Sequence, residues 1–196
     1  MPNRKKGIFE RLLRKNETGS DKQLEFTEDN PDNIKKVLAR NKNILIRGVV
    51  GVGKITNTVK SLKDNAQVYY VGNPVDFEGQ QRPGSYEKYL NHISSLKKDM
   101  TMVEDIQSLL KMDKKIIVII DEIYGRSDTQ LAQIEELLDK KNIQIVQIVG
   151  CMKNMRSLID KIDIVIDLHH GGATVVDKEL AKATCRIFGM KPQVRD

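Results

Sequence analysis

Seven consecutive residues have the types and spacing to hold a phosphate: Gly48-Val49-Val50-Gly51-Val52-Gly53-Lys54, a G-x-x-x-x-G-K run. Glycines let the backbone turn so that successive N–H groups point inward at an anion, and the lysine adds a mobile point charge for the outer phosphates. A second pattern begins at Lys114-Lys115 and ends Ile116-Ile117-Val118-Ile119-Ile120-Asp121-Glu122. Here Asp121 offers a carboxylate to Mg²⁺, directly or through water, and Glu122 one that orients or deprotonates an attacking water. Each pattern also has an ordinary explanation. The first suits a glycine-rich turn, and the second suits two acids capping the next element. What would join them into one site is the set of elements around them.

Asn43–Arg47, with Ile44-Leu45-Ile46, reads as a buried strand running into the glycine loop, and Lys54–Lys63 as the helix leaving it. That places the loop at a helix N-terminus, where backbone N–H groups and the helix dipole favour an anion. Ile34–Ala39 reads as a helix leading in. Val68–Val71 reads as a second strand, and 86–97 and 102–111 carry helical patterns. Ile116–Ile120 is apolar on both faces, as central parallel strands are. Asp128–Lys140 is an amphipathic helix with Leu131, Ile134, Leu137 and Leu138 on one side. Ile143–Val149 and Ile162–Leu168 are the fourth and fifth strands, with a short helix Met155–Lys161 between them. A turn at His169–Gly172 and a helix over Asp177–Ile187 close the pattern. Strands alternating with helices predict an α/β fold with a largely parallel sheet, whose strand tips open on a ligand crevice.

Composition excludes several classes. The 196 residues are 39% hydrophobic and 31% charged, enough for a core, and no apolar run approaches the roughly 18–20 residues of a spanning helix. Two cysteines, Cys151 and Cys185, cannot make a disulfide scaffold, and their setting is expected to be reducing cytoplasm. The net charge of +6 is unevenly spread: residues 1–15 carry +5 and residues 16–33 carry −5. Two parts are expected, a basic amphipathic arm with an acidic flexible linker over 1–33, and a nucleotide-binding domain over 34–196. The arm places Ile8, Phe9, Leu12 and Leu13 at helical spacing among basic residues. It suits a partner's groove, an anionic membrane surface, or packing back on its own domain.

Over residues 34–170 the chain resembles P-loop NTPases of the additional-strand, catalytic-glutamate branch, which includes AAA+ proteins, DNA translocases and secretion ATPases. The resemblance implies a three-layer α/β domain with a mainly parallel five-stranded sheet in the order 5-1-4-3-2. It implies ATP and Mg²⁺ as ligands, held by residues 48–56, with Lys54 and Glu122 catalytic and Asp121 on the metal. It also implies an oligomeric assembly that moves or remodels DNA or protein. The family places Ser or Thr after the lysine, and its hydroxyl binds Mg²⁺. This chain has Ile55, with Thr56 next, about 100° further round a helix. Three readings stay open: weak or absent hydrolysis, a metal held by Asp121 and solvent or by Thr56, or a substitution at an ordinary Thr position.

Further residues follow from the same resemblance. Asn154, after the fourth strand, is a sensor candidate or a helix N-cap. Arg126 and Arg156, with Arg82 as a third, are candidates for an arginine that completes a neighbouring subunit's site. Secretion ATPases carry an acidic box after the second strand, of which Asn73-Pro74-Val75-Asp76-Phe77 is a partial match, with Gly72 where the box opens with Glu. His169-His170 reads as turn rather than metal ligand.

Overall fold

Alternate residues of two neighbouring central strands face two different apolar layers. The computed structural model describes residues 32–49, 51–62, 66–73, 85–123, 125–150, 158–169 and 172–176. Its strands are β1 (Ile44–Arg47), β2 (Val68–Val71), β3 (Thr101–Met102), β4 (Ile116–Asp121), β5 (Ile143–Val149), β6 (Ile164–His169) and β7 (Gly172–Val176). Its α-helices are α1 (Asp32–Leu38), α2 (Lys54–Ser61), α3 (Ser85–Leu96), α4 (Ile106–Leu110) and α5 (Asp128–Leu138). A 3₁₀ turn spans Ile159–Lys161.

On one face, Val118 and Ile120 of β4 and Ile145 and Val149 of β5 pack with Ile106 and Leu109 of α4 and Ile134 and Leu137 of α5. On the other, Ile119, Val146 and Ile148 pack with Val37 of α1, Val59 of α2 and Ile93 of α3. The result is helix, sheet, helix in three layers. A strand apolar at every position is what burial on both faces requires, since alternate side chains point to opposite faces. Gln147 breaks the run in β5: its amide is fully buried and has no hydrogen-bond partner among the described residues.

The sheet corrects the five-stranded expectation. Among the described residues it has seven strands in the order β3-β2-β4-β5-β1-β6-β7, so both the count and the full order differ from 5-1-4-3-2. The difference lies in two edge strands. β3 overlaps the start of the stretch expected to be helix, 102–111, and pairs with β2 through Tyr69–Thr101 and Tyr70–Met102. Helix α4 begins only after Asp105, whose carboxylate caps it by accepting from the Gln107 N–H. β7 runs antiparallel to β6, and the expected turn shrinks because His169 and Gly172 pair directly. β5 lies between β1 and β4, pairing with both in parallel, which sets the glycine loop and the acidic pair on either side of one strand tip.

Asparagine and glutamine side chains tie the opposite end of the sheet. The Asn43 amide donates to the Leu138 carbonyl at 2.9 Å and accepts from the Ile145 N–H at 3.1 Å. Gln144 donates to the carbonyls of Leu38 and Lys42, both at 3.1 Å. These bonds satisfy backbone acceptors where helices turn back into strands.

Candidate functional site

The glycine loop leaves β1 at Arg47, whose guanidinium pairs in two-pronged fashion with the carboxylate of Asp167 on β6. Gly48 follows, and a Cβ there would lie 2.5 Å from the Leu168 carbonyl oxygen, so no larger residue fits. Gly51 and Gly53 take φ of 88° and 77°, the left-handed region that a side chain disfavours. A Cβ on Gly51 would meet nothing within 4 Å, so the loop is open on that side. Gly53 is the N-cap of α2 and supplies no side-chain cap, leaving first-turn N–H groups of the helix to another acceptor. Val49 is exposed at the loop, whereas Val52 turns into the core. Val50 lies outside the described residues.

Lys54 opens α2 and folds back over the loop. Its Nζ donates to the carbonyls of Gly48 at 2.8 Å and Val49 at 3.1 Å. Burial lowers its pKa from the ordinary lysine value, and the charges of Glu122 and Asp121 oppose that shift. Ile55 is 9% exposed and belongs to the apolar cluster with Val52 and Val59, so it gives the site no oxygen. Thr56 follows on α2, half-buried.

Asp121 is the last residue of β4 and is buried. Its Oδ2 accepts from the hydroxyls of Tyr70 at 2.9 Å and Tyr89 at 3.0 Å. Burial, and then the neighbouring Asp121 charge, push the Tyr70 hydroxyl far up, so it remains a donor. Glu122 has φ of 43°, uncommon for a residue with a side chain. Its N–H donates to the Ile148 carbonyl at 2.8 Å, and its Oε1 accepts from the Gly150 N–H at the tip of β5. A Cβ on Gly150 would lie 2.8 Å from that Oε1 and 3.9 Å from the Lys54 Nζ. The ammonium and the carboxylate therefore both approach the Gly150 position, and glycine there leaves room for the carboxylate.

These residues fit a bound phosphate chain: an open glycine turn, an uncapped helix N-terminus and a cation. They also fit Mg²⁺ in its usual mode, held by one or two carboxylates together with substrate phosphates and water. Asp121 would be the protein ligand. Among the described residues no group of three or more His, Cys, Asp or Glu forms an all-protein metal cage.

Arg126 departs from the expectation of an arginine offered to a neighbour. It is buried, and its guanidinium donates to its own chain's carbonyls of Val71 (3.2 Å), Gly72 (3.0 Å), Asp121 (2.8 Å) and Glu122 (2.9 Å). It binds the tips of β2 and β4 together. Gly72 also differs from the acidic box for a physical reason: a Cβ there would lie 2.1 Å from the Tyr86 hydroxyl. Arg82, Cys151, Asn154, Arg156, His170 and Cys185 lie outside the described residues, as do the arm and the expected closing helix.

The sequence pattern did not single out Tyr70, Tyr89 or Gly150. Tyr70 left a weak signal, shared with Tyr69, as a hydroxyl within a fully buried strand. Tyr89 left none, because only the packing of α3 brings it to Asp121.

No family model matches the chain, and no curated protein matches it. Among solved structures it is similar to the VirB11 ATPase of the Brucella suis type IV secretion system, at TM-score 0.46 and 11% identity over 79% of this chain and 53% of that one. The chain thus spans about half the length of that ATPase. It is also similar to a Pyrococcus horikoshii OT3 protein, at TM-score 0.45 and 10% identity over 74% of this chain and 91% of that one. A third likeness is to the flagellar accessory protein FlaH of Methanocaldococcus jannaschii, at TM-score 0.40 and 15% identity over 72% of this chain and 80% of that one.

Proposed function

We propose that the chain is a P-loop protein that binds ATP with Mg²⁺ and hydrolyses it, as part of an oligomeric assembly that moves or remodels DNA or protein. The observation that carries the nucleotide reading is that Lys54 and Glu122 both approach the Gly150 position, beside the open glycine turn. In this reading the N–H groups of the loop and of α2 bind the phosphates. Lys54 exchanges its two loop carbonyls for phosphate oxygens, and the exchange favours the ligand because a charged acceptor makes the stronger hydrogen bond. Asp121 holds the cation, which neutralises charge on the phosphates. Glu122, fixed by the Gly150 N–H, orients water for attack. The assembly and its macromolecular substrate are supported by the sequence resemblance alone, a cytoplasmic setting by the cysteine content, and a partner- or membrane-binding arm by the basic amphipathic pattern of its residues.

A second reading is favoured by the burial of Ile55: a nucleotide-binding interaction protein whose hydrolysis is weak. With that side chain in the apolar cluster, one oxygen of an octahedral Mg²⁺ shell must come from water or elsewhere. Two measurements separate the readings. In titration calorimetry Lys54→Ala should weaken binding of a non-hydrolysable ATP analogue at least tenfold, about 1.4 kcal/mol; equal binding removes the phosphate-loop assignment. Turnover is then compared for the unmodified chain, Ile55→Thr, and Ile55→Thr with Glu122→Gln, across a magnesium titration. The weak-hydrolysis reading expects slow turnover, a gain with Thr, and loss of that gain with Gln. Brisk turnover untouched by Ile55→Thr supports the ATPase reading with the metal held by Asp121.

A further inference from the structure

Two tyrosines from different elements converge on one oxygen of Asp121. Tyr70 comes from β2 and is fully buried; Tyr89 comes from α3 and is half-buried. Their hydroxyls lie 2.9 and 3.0 Å from Oδ2 and 3.3 Å from each other. Each hydroxyl has a single proton, and the charged carboxylate is a stronger acceptor than a second phenol. Both protons therefore go to Oδ2. Tyr86, one turn before Tyr89, packs its ring against it with centroids 6.3 Å apart and planes inclined by 29°. The space for Tyr86 exists because residue 72 is glycine. The ring of Tyr89 is thus placed by its neighbours before its hydroxyl makes any bond.

Two donors on one oxygen fix the rotation of a carboxylate that a single donor leaves free to swing. They also engage that oxygen's lone pairs, so a cation or its water shell meets the other oxygen. We propose that Tyr70 and Tyr89 are a positioning pair that sets which oxygen of Asp121 serves a nucleotide-bound Mg²⁺, and that Tyr89 ties this orientation to α3. The proposal rests on the nucleotide reading above and deepens it, adding a control element to the same site. Since β2 is inside the sheet and α3 lies on its surface, Tyr70 is the fixed member and Tyr89 the movable one. A shift of α3 away from β2 breaks the Tyr89 bond and loosens Asp121 without disturbing the glycine loop.

The test separates metal-dependent from metal-independent binding. Affinity for a non-hydrolysable ATP analogue is measured with excess Mg²⁺ and with excess EDTA, together with the thermal midpoint, for the unmodified chain and for Tyr89→Phe. The substitution keeps the ring and removes only the hydroxyl. Affinity in Mg²⁺ should fall about tenfold, the scale typical for removing a group that orients a metal ligand. Affinity in EDTA and the thermal midpoint should stay at the unmodified values. Tyr70→Phe should act in the same direction, and the double variant should lose more than either. Equal loss in Mg²⁺ and EDTA would make Tyr89 a packing residue and overturn the proposal, as would no loss in either. If the folded, unmodified chain binds the analogue in neither condition, the nucleotide reading itself is wrong and the pairing falls with it. That outcome is read before any tyrosine is changed.

Discussion

Lys54 is where local chemistry can be tested most directly, because the proposed phosphate site needs its charge and its surroundings weaken that charge. Burial costs the ammonium its hydration and lowers its pKa below 10.5, against the partial compensation of Glu122 and Asp121. Between the folded and unfolded pKa values the unfolded chain binds more protons, so the free protein gains stability as pH rises through that interval. Ligand affinity runs the other way. A phosphate favours the protonated lysine, so affinity falls once pH passes the folded pKa. Nucleotide titrations from near neutrality upward should show a decline with a midpoint below 10.5, the ordinary lysine value, and Lys54→Ala should lack it. A decline that begins only above the ordinary value would contradict the burial. Ile55 marks the opposite case at the same scale: a side chain that belongs to the apolar cluster beneath the loop.

The tips of β2 and β4 form a unit through Arg126. Four backbone carbonyls at the ends of these strands have one guanidinium as a common donor. Arg126 follows a left-handed glycine, Gly125, with φ of 73°, and directly precedes Ser127, the cap of α5. The Ser127 hydroxyl accepts from the Gln130 N–H and the Gln130 side chain accepts from the Ser127 N–H, so the start of α5 is held in place just after the arginine. Replacing Arg126 by Ala leaves buried acceptors without a partner, and should cost about 3 kcal/mol of stability. Arg126→Lys should recover only part of this, since an ammonium lacks the planar fork. Urea denaturation midpoints measure both. Full stability in Arg126→Ala with loss of turnover only in the assembled protein would restore the intersubunit role.

At the scale of the molecule, residues 1–33 read as a basic arm joined by an acidic, flexible linker. Deleting residues 1–20 should therefore leave the melting temperature and nucleotide affinity where they are. Differential scanning calorimetry and the same nucleotide titration check this, and loss of a cooperative transition would place the arm in the core. No described helix is long and apolar enough to cross a membrane.

Local signals in the sequence determined the glycine loop, the acidic pair and the α/β alternation, because each is written in contiguous residues. A G-x-x-x-x-G-K run between a strand pattern and a helix pattern needs no distant partner to be read. Continuous apolar runs such as Ile116–Ile120 announce burial on both faces without saying what covers them. Only the tertiary structure decided the rest. The edge strands β3 and β7 depend on backbone pairing with β2 and β6, and two residues such as Thr101 and Met102 have no periodicity to detect. Arg126 reads as a candidate for a neighbouring subunit's site until the fold closes four carbonyls around it. Tyr70 and Tyr89, 19 residues apart in sequence, share an acceptor because β2 lies beside β4 and α3 packs over that face of the sheet. Contacts between residues far apart in sequence arise from packing of whole elements, and no pattern within one element records them.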